Sequence, residues 1–123
     1  MQPQELVILH CDPTLAETLV PALRISFRSI HYVTSVDELR ASIAKHRPGI
    51  AILDIEKASL VELEHLSREF PGACIVGTHR CADEEMWAAA LNAGACDLVS
   101  SYDSKGIVQA ALKTGDAIRP AAA

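Results

Sequence analysis

Aromatic residues are scarce in this sequence of 123 residues: Phe, Tyr and Trp make up 4% of the chain, whereas hydrophobic residues make up 50%. The core must therefore be built mainly from Ala, Val, Leu and Ile, a composition typical of helices packed on a parallel sheet. No apolar run approaches the roughly 20 residues that a membrane-spanning helix needs, so we expect no membrane span. A basic N-terminal region of the secretory kind is also missing, and we expect a cytoplasmic protein.

Positively charged residues are also few. The 11 Lys and Arg residues are scattered and are outnumbered by 16 Asp and Glu residues, which leaves a formal net charge of -5. Such a surface repels a phosphate backbone, so we expect no direct nucleic-acid binding. The cysteines at 11, 74, 81 and 96 form neither a CxxC pair nor a zinc-finger spacing. We expect free thiols, with Cys74 and Cys96 in the core.

Glycine-rich phosphate loops, dinucleotide-binding fingerprints and the nucleophile elbow of hydrolases are absent from the sequence. Each of these motifs positions a backbone or side-chain group against a substrate. Their absence argues against a nucleotide-dependent enzyme or a hydrolase. We therefore expect a protein that is not an enzyme and carries no cofactor.

Short apolar runs alternate with longer amphipathic segments along the chain, and turn or cap residues separate them. The runs predict strands at 5–10, 30–34, 49–55, 73–78 and 97–100. The amphipathic segments predict helices at about 13–27, 36–46, 60–70, 82–94 and 104–118. The second and third helices are each preceded by a capping-box spacing, Ser35 with Glu38 and Ser59 with Glu62.

This alternation predicts an α/β protein with a flavodoxin-like, doubly wound (βα)5 architecture, in which helices cover both faces of a five-stranded parallel sheet. We expect residues 1–118 to form one domain and residues 119–123 to be a tail or linker remnant. In such sheets, ligand chemistry lies at the carboxyl ends of the strands. Thr78 ends the fourth predicted strand, His10 ends the first, and Asp54 is the last residue but one of the third.

The order of these residues resembles the receiver domain of bacterial two-component response regulators, from Leu6 to about Thr114. An apolar run precedes a short segment that ends in Pro13, and Asp54 and Thr78 follow at the ends of two later strands. The segment Ala93-Gly94-Ala95-Cys96-Asp97-Leu98 is similar to the Ala-Gly-Ala-x-Asp-Tyr stretch of that family. Each landmark is weak alone, but their order is fairly specific.

The resemblance implies a role for each pocket residue. In that family an aspartate is phosphorylated, two acidic residues hold magnesium, and a hydroxyl and a lysine contact the phosphoryl oxygens. Asp54 matches the acceptor and Thr78 the hydroxyl, but His10 and Cys11 stand at the acid pair and Ser101 stands at the lysine. Magnesium prefers carboxylate, carbonyl and water oxygens. We therefore expect magnesium binding to be lost and Asp54 to remain unphosphorylated.

Two alternatives stay open. A shift of one residue would make Cys11 and Asp12 the pair, and the chain would then be a phosphorylatable receiver that accepts phosphate from a histidine kinase on Asp54, with Asp12 and Lys57 assisting. The second alternative is a metal- or thiol-responsive sensor at the same sheet edge. Its candidate ligands are His10, Cys11, Asp54, His79 and Cys81.

Proteins that this sequence resembles use the face built from helix four, strand five and helix five for dimerisation and output contacts. The resemblance therefore implies a protein partner, an output domain or a homodimer through this face. The candidate contact residues are Trp87, Leu91, Tyr102, Ile107 and Ala111. The favoured hypothesis is an atypical receiver (a pseudo-receiver) in signal transduction that acts as a protein interaction module.

Overall fold

A computed structural model describes residues 4–10 and 13–118 of the chain. Five strands alternate with five helices. The strands are β1 (Gln4–Leu9), β2 (Phe27–Val33), β3 (Ile50–Asp54), β4 (Cys74–His79) and β5 (Asp97–Ser100). The helices are α1 (Pro13–Arg24), α2 (Val36–His46), α3 (Leu60–Glu69), α4 (Glu84–Asn92) and α5 (Ser104–Ile118). The predictions made for Cys11, Asp12 and the tail 119–123 concern residues outside these ranges.

The strands pair in parallel in the order β2-β1-β3-β4-β5. Successive strand residues point to opposite faces of the sheet, and two hydrophobic clusters lie on these faces. Val7, Leu9 and Leu53 belong to one cluster with residues of α2, α3 and α4, whereas Leu6 and Ile8 belong to the other with residues of α1 and α5. This arrangement confirms the predicted flavodoxin-like (βα)5 fold.

The helix starts follow from their caps. Ser35 accepts a hydrogen bond from the backbone N–H of Glu38 at 3.1 Å, and Ser59 forms a complete capping box with Glu62. The predicted starts of α2 and α3 are therefore confirmed. Helix α4 begins two residues later than predicted, at Glu84, because the Asp83 side chain caps it.

Two sequence expectations are corrected by burial. Helix α1 ends at Arg24 rather than near residue 27, because Phe27 is buried and already begins β2. Cys96 is exposed and Cys74 is half-buried, so the expectation that both lie in the core is wrong for Cys96. Burial and the adjacent Cys96 thiol raise the pKa of Cys74 to about 12, and Cys74 therefore stays protonated near neutral pH.

No helix in the described ranges has both the length and the apolar character needed to cross a lipid bilayer.

Replacing Gly94 with alanine should destabilise the fold. Gly94 has a φ of +113°, and an added Cβ would lie 2.7 Å from Ser67 Cβ on α3. We expect the free energy of unfolding to fall by at least about 1 kcal/mol, because both the backbone conformation and the contact oppose a side chain. Urea denaturation followed by circular dichroism would measure this change.

Gly72 is the matched control, because an added Cβ there would meet no atom within 4 Å and its φ lies outside the left-handed region. Gly72→Ala should change the free energy of unfolding by no more than about 0.5 kcal/mol. Equal losses in the two variants would contradict the steric explanation.

Candidate functional site

Asp54 is fully buried where β3 ends, beside Thr78 of β4 in the strand register. The backbone folds into a tight turn immediately after it. The Asp54 carbonyl accepts hydrogen bonds from the N–H groups of Lys57 at 3.1 Å and Ala58 at 3.0 Å. The side-chain Oδ1 accepts a third bond, from the N–H of Glu56 at 2.8 Å. The turn therefore holds the carboxylate at the carboxyl edge of the sheet.

Three buried polar atoms at this edge find no hydrogen-bond partner within the described part of the chain: Asp54 Oδ2, Thr78 Oγ1 and Ser101 Oγ. An unsatisfied buried polar atom costs about 1–3 kcal/mol, and more when the group is charged. Most such atoms in native proteins are paired with protein or ordered water. These atoms therefore mark the place where the site would take a further polar partner.

His10 is also fully buried, and its ring joins the two sides of the edge. Its Nε2 lies 3.2 Å from the carbonyl oxygen of Ser101. Because a carbonyl can only accept, Nε2 carries a proton and donates it in this bond. His10 follows β1 and Ser101 follows β5, and β3 and β4 lie between these strands in the sheet. The bond therefore spans the site.

The described donors suit magnesium poorly. Magnesium takes oxygen ligands in near-octahedral geometry and is usually held in proteins by one or two carboxylates. At this edge Asp54 offers a single free carboxylate oxygen, and the Nε2 of His10 points a proton at Ser101. The carboxylate of Glu56 is nearby in the chain but is bound by Arg80.

Arg80 and Glu56 connect the two loops that border the site. The Arg80 backbone N–H donates to Glu56 Oε1 at 3.1 Å, and its guanidinium Nε donates to Oε2 at 2.8 Å. Burial acts to raise the pKa of Glu56, but the Arg80 backbone N–H and guanidinium outweigh it and hold that pKa below its usual value. Glu56 and the neighbouring Tyr102 raise the pKa of Arg80 in turn. A guanidinium therefore lies at the rim of the site, already paired with a carboxylate.

This ion pair could not be predicted from the sequence, because the two residues lie in different loops, 24 positions apart, and no local spacing rule links them. Lys57, the cation that the sequence suggested for this site, is exposed.

The predicted pocket residues that the structure describes do lie together. His10, Asp54, Thr78 and Ser101 are all at most 1% exposed at the same edge. The proposed soft-metal set does not assemble in the same way. The backbone N–H of Cys81 donates to His79 Nδ1 at 2.9 Å, and no metal-ligating cluster of three among the described residues includes any member of that set.

The residues predicted for an interaction face differ in their exposure. Trp87 is 46% exposed and Tyr102 58% exposed, while Leu91 is half-buried. Ile107 and Ala111 are fully buried in the core cluster that α5 forms with the sheet, so their assignment to the face is wrong. The Trp87 ring is held in place by a hydrogen bond from its Nε1 to Asp97 Oδ1 at 3.2 Å.

Comparison with known proteins adds evidence on the fold. No protein-family model matches the sequence, and no curated protein matches it. A CheY-like response regulator receiver domain protein from Methanospirillum hungatei JF-1 is 17% identical with a TM-score of 0.82, over 95% of this chain and 97% of that chain. A response regulator from Thermotoga maritima is 14% identical with a TM-score of 0.82, over 92% and 98%. The BeF3-activated DrrB receiver domain is 10% identical with a TM-score of 0.79, over 94% and 99%.

Identities this low establish the shared fold alone. The chain therefore has the CheY-like receiver fold, and the chemistry of its site has to be argued from its own residues.

Removing the rim ion pair should make stability less sensitive to acid. The pKa of Glu56 is lower in the folded protein than in the unfolded chain. The ion pair therefore stabilises the fold at pH values above the usual Glu pKa of about 4.3. This stabilisation is lost as the pH falls through the pKa that Glu56 has in the folded protein. Because the pair is partly solvent-exposed, we expect Glu56→Gln to cost about 0.2–1 kcal/mol at neutral pH. Urea unfolding would measure the free energies of unfolding of the wild-type chain and of Glu56→Gln at neutral and at acidic pH. We expect the difference between the two proteins to be smaller at acidic pH.

Glu64→Gln is the matched control, since Glu64 pairs with Arg68 within α3 and both side chains are more than 40% exposed. Its effect should be smaller than that of Glu56→Gln at neutral pH. A Glu56→Gln difference that grows in acid would contradict the assignment.

Proposed function

We propose that this chain is an atypical receiver domain that takes part in signal transduction without phosphorylation of Asp54 and acts through contact with a protein partner or an output domain. The observation that carries the proposal is the state of the Asp54 carboxylate. It is fully buried, it accepts one backbone hydrogen bond, and the described pocket supplies no cation to it.

Phosphoryl transfer depends on cations that neutralise charge on the transferred group. A phosphorylated side chain carries about -1.5 to -2 charges at neutral pH. At an effective dielectric constant of about 20, one opposite charge at 4 Å contributes roughly 4 kcal/mol, which corresponds to about three powers of ten in rate. A pocket whose described residues offer one free carboxylate oxygen and no lysine therefore provides little of this stabilisation of the transition state.

The cations at the rim do not replace these groups. The Arg80 guanidinium is paired with Glu56 at 2.8 Å, and moving it to a phosphoryl group would leave the Glu56 carboxylate without its partner. The hydroxyl at the lysine position belongs to Ser101, which is buried and uncharged. These facts favour the unphosphorylated receiver over the alternative in which Asp54 accepts phosphate.

Beryllofluoride, which imitates a phosphoryl group on an aspartate, tests this proposal. We expect BeF3 with magnesium to leave the amide resonances of residues around Asp54 and Thr78 unchanged, because the described pocket offers neither a second free carboxylate to hold the metal nor a lysine to hold the anion. Acetyl phosphate should likewise add no phosphoryl group to the intact chain, as measured by mass spectrometry.

The DrrB receiver domain, which BeF3 activates, is the positive control for the reagents. The Asp54→Asn variant is the matched negative control. Resonance shifts in the wild-type chain that Asp54→Asn lacks would establish a working phosphoacceptor and overturn the proposal.

The part of this proposal that concerns partners rests on exposed aromatic residues. Trp87 on α4 and Tyr102 after β5 are large, partly apolar and solvent-exposed, and residues of these types often supply much of the binding energy at protein interfaces. The hydrogen bond to Asp97 holds Trp87 in one orientation, which lowers the entropy lost on binding. We therefore propose the surface of α4 and β5 around Trp87 and Tyr102 as the contact face, with a second copy of the chain as its simplest partner.

Replacing Trp87 with glutamate should weaken self-association at this face, because a buried apolar contact would be exchanged for a charge. Sedimentation of the wild-type chain over a range of concentrations should show a dimer that Trp87→Glu reduces at least about tenfold in affinity. Ile25→Glu is the matched control, since Ile25 is 87% exposed on the loop between α1 and β2. A wild-type chain that stays monomeric would contradict self-association and leave only a different protein as partner.

A further inference from the structure

Glu5, His31 and His46 form a side-chain cluster that the pocket at Asp54 does not use. Glu5 lies near the start of β1, His31 is on β2 and His46 is the last residue of α2. One potential ligand atom from each residue lies within 4.8 Å of the other two. Asp54 lies at the opposite, carboxyl end of the sheet, beside His10, and the five residue steps of extended backbone from Glu5 to His10 span about 16 Å.

The fold brings these residues to one face. Glu5 and Ser29 are register partners in β1 and β2, and His31 follows Ser29 by two residues and so points to the same side of the sheet. That side is covered by α2, whose Ile43 packs in the same cluster as Val7. His46 follows Ile43 by three residues and therefore lies on the same side of the helix. The cluster is thus positioned by backbone pairing and core packing.

The distances within the cluster fit coordination of one ion. Glu5 Oε1 lies 3.1 Å from His31 Nε2 and 3.8 Å from His46 Nδ1. In a tetrahedral zinc site with bonds of about 2.0–2.1 Å, neighbouring ligand atoms lie roughly 3.3 Å apart. The two nitrogens therefore already converge on one carboxylate oxygen at nearly the required separations.

The present arrangement of the two histidine rings shows which movement metal binding would require. The imidazoles of His31 and His46 are stacked, with centroids 3.8 Å apart and an interplanar angle of 12°. Because a ring nitrogen binds a metal in the plane of its ring, one ring must turn for both to share an ion. The side chains of His31 and His46 are 28% and 30% exposed, so solvent reaches the site.

We propose that Glu5, His31 and His46 bind a divalent transition-metal ion of the zinc type, with a fourth position left to water. Two imidazoles and a carboxylate are a donor set that zinc uses in proteins, whereas magnesium and calcium prefer oxygen donors alone. The ion would join α2 to the β1–β2 side of the sheet. It would thus stabilise the native state, because the unfolded chain does not hold the three donors together.

Cobalt(II) is the probe of choice, since its visible absorption reports coordination number and its thiolate complexes absorb strongly in the near ultraviolet. The experiment uses the whole chain without an affinity tag. We expect one cobalt ion per chain, a visible spectrum of nitrogen and oxygen ligation, displacement by zinc and no displacement by magnesium. Lowering the pH should release the ion, because protons compete for the imidazoles.

Single variants on separate elements locate the site. Glu5→Gln, His31→Gln and His46→Gln should each weaken cobalt affinity at least about tenfold, and should also abolish the rise in melting temperature that zinc causes in the wild-type chain. His65→Gln is the matched control, because His65 is exposed on α3 and its replacement should change neither readout. Circular dichroism identifies any variant that fails to fold. The proposal is then tested with the remaining two of the three variants, which lie on other elements.

Three results would overturn the proposal: no saturable cobalt binding, thiolate charge-transfer bands that place the ion on the cysteines, or an equal loss of affinity in His65→Gln.

Discussion

The buried parallel strand β3 is the constraint on which the rest of this structure depends. All five of its residues are buried, because helices cover both faces of the sheet and strands flank both edges of β3. The last of them is Asp54, so the fold places an ionisable group where water cannot solvate it. Burying a carboxylate is costly unless hydrogen bonds or cations compensate for the lost hydration. The properties of the carboxyl edge of the sheet therefore depend on which groups compensate the charge of Asp54.

A single peptide N–H group contacts that charge among the described residues. The N–H of Glu56 donates to one carboxylate oxygen, while the other oxygen has no partner among the described residues. The nearest guanidinium pairs with Glu56 instead, and His10 directs its proton to the carbonyl of Ser101. Strand pairing and core packing hold the residues of this pocket in place.

The positions of the strands and helices could be predicted from the sequence where local periodicity, capping residues and turn residues determine them. Period, caps and turns located all five strands and all five helices and placed His10, Asp54 and Thr78 at one edge, and the family resemblance added Ser101. The errors arise where tertiary packing decides. Helix α5 is apolar around much of its circumference, so periodicity could not show that Ile107 and Ala111 face the sheet. The Arg80–Glu56 pair and the cluster of Glu5, His31 and His46 join residues from separate elements, and only the three-dimensional register brings them together.

The two ends of β1 differ in what they offer a cation. At the carboxyl end the donor atoms of the described residues are fully buried, and among them a hard dication would exchange its hydration shell for a single free carboxylate oxygen of Asp54. At the amino end three donors of the kind that zinc prefers lie within 4.8 Å of one another and remain partly exposed. Binding is favoured where ligands are already positioned and little hydration is lost. The donor set on the β1–β2 side under α2 therefore fits a transition-metal ion better than the described residues at Asp54 do.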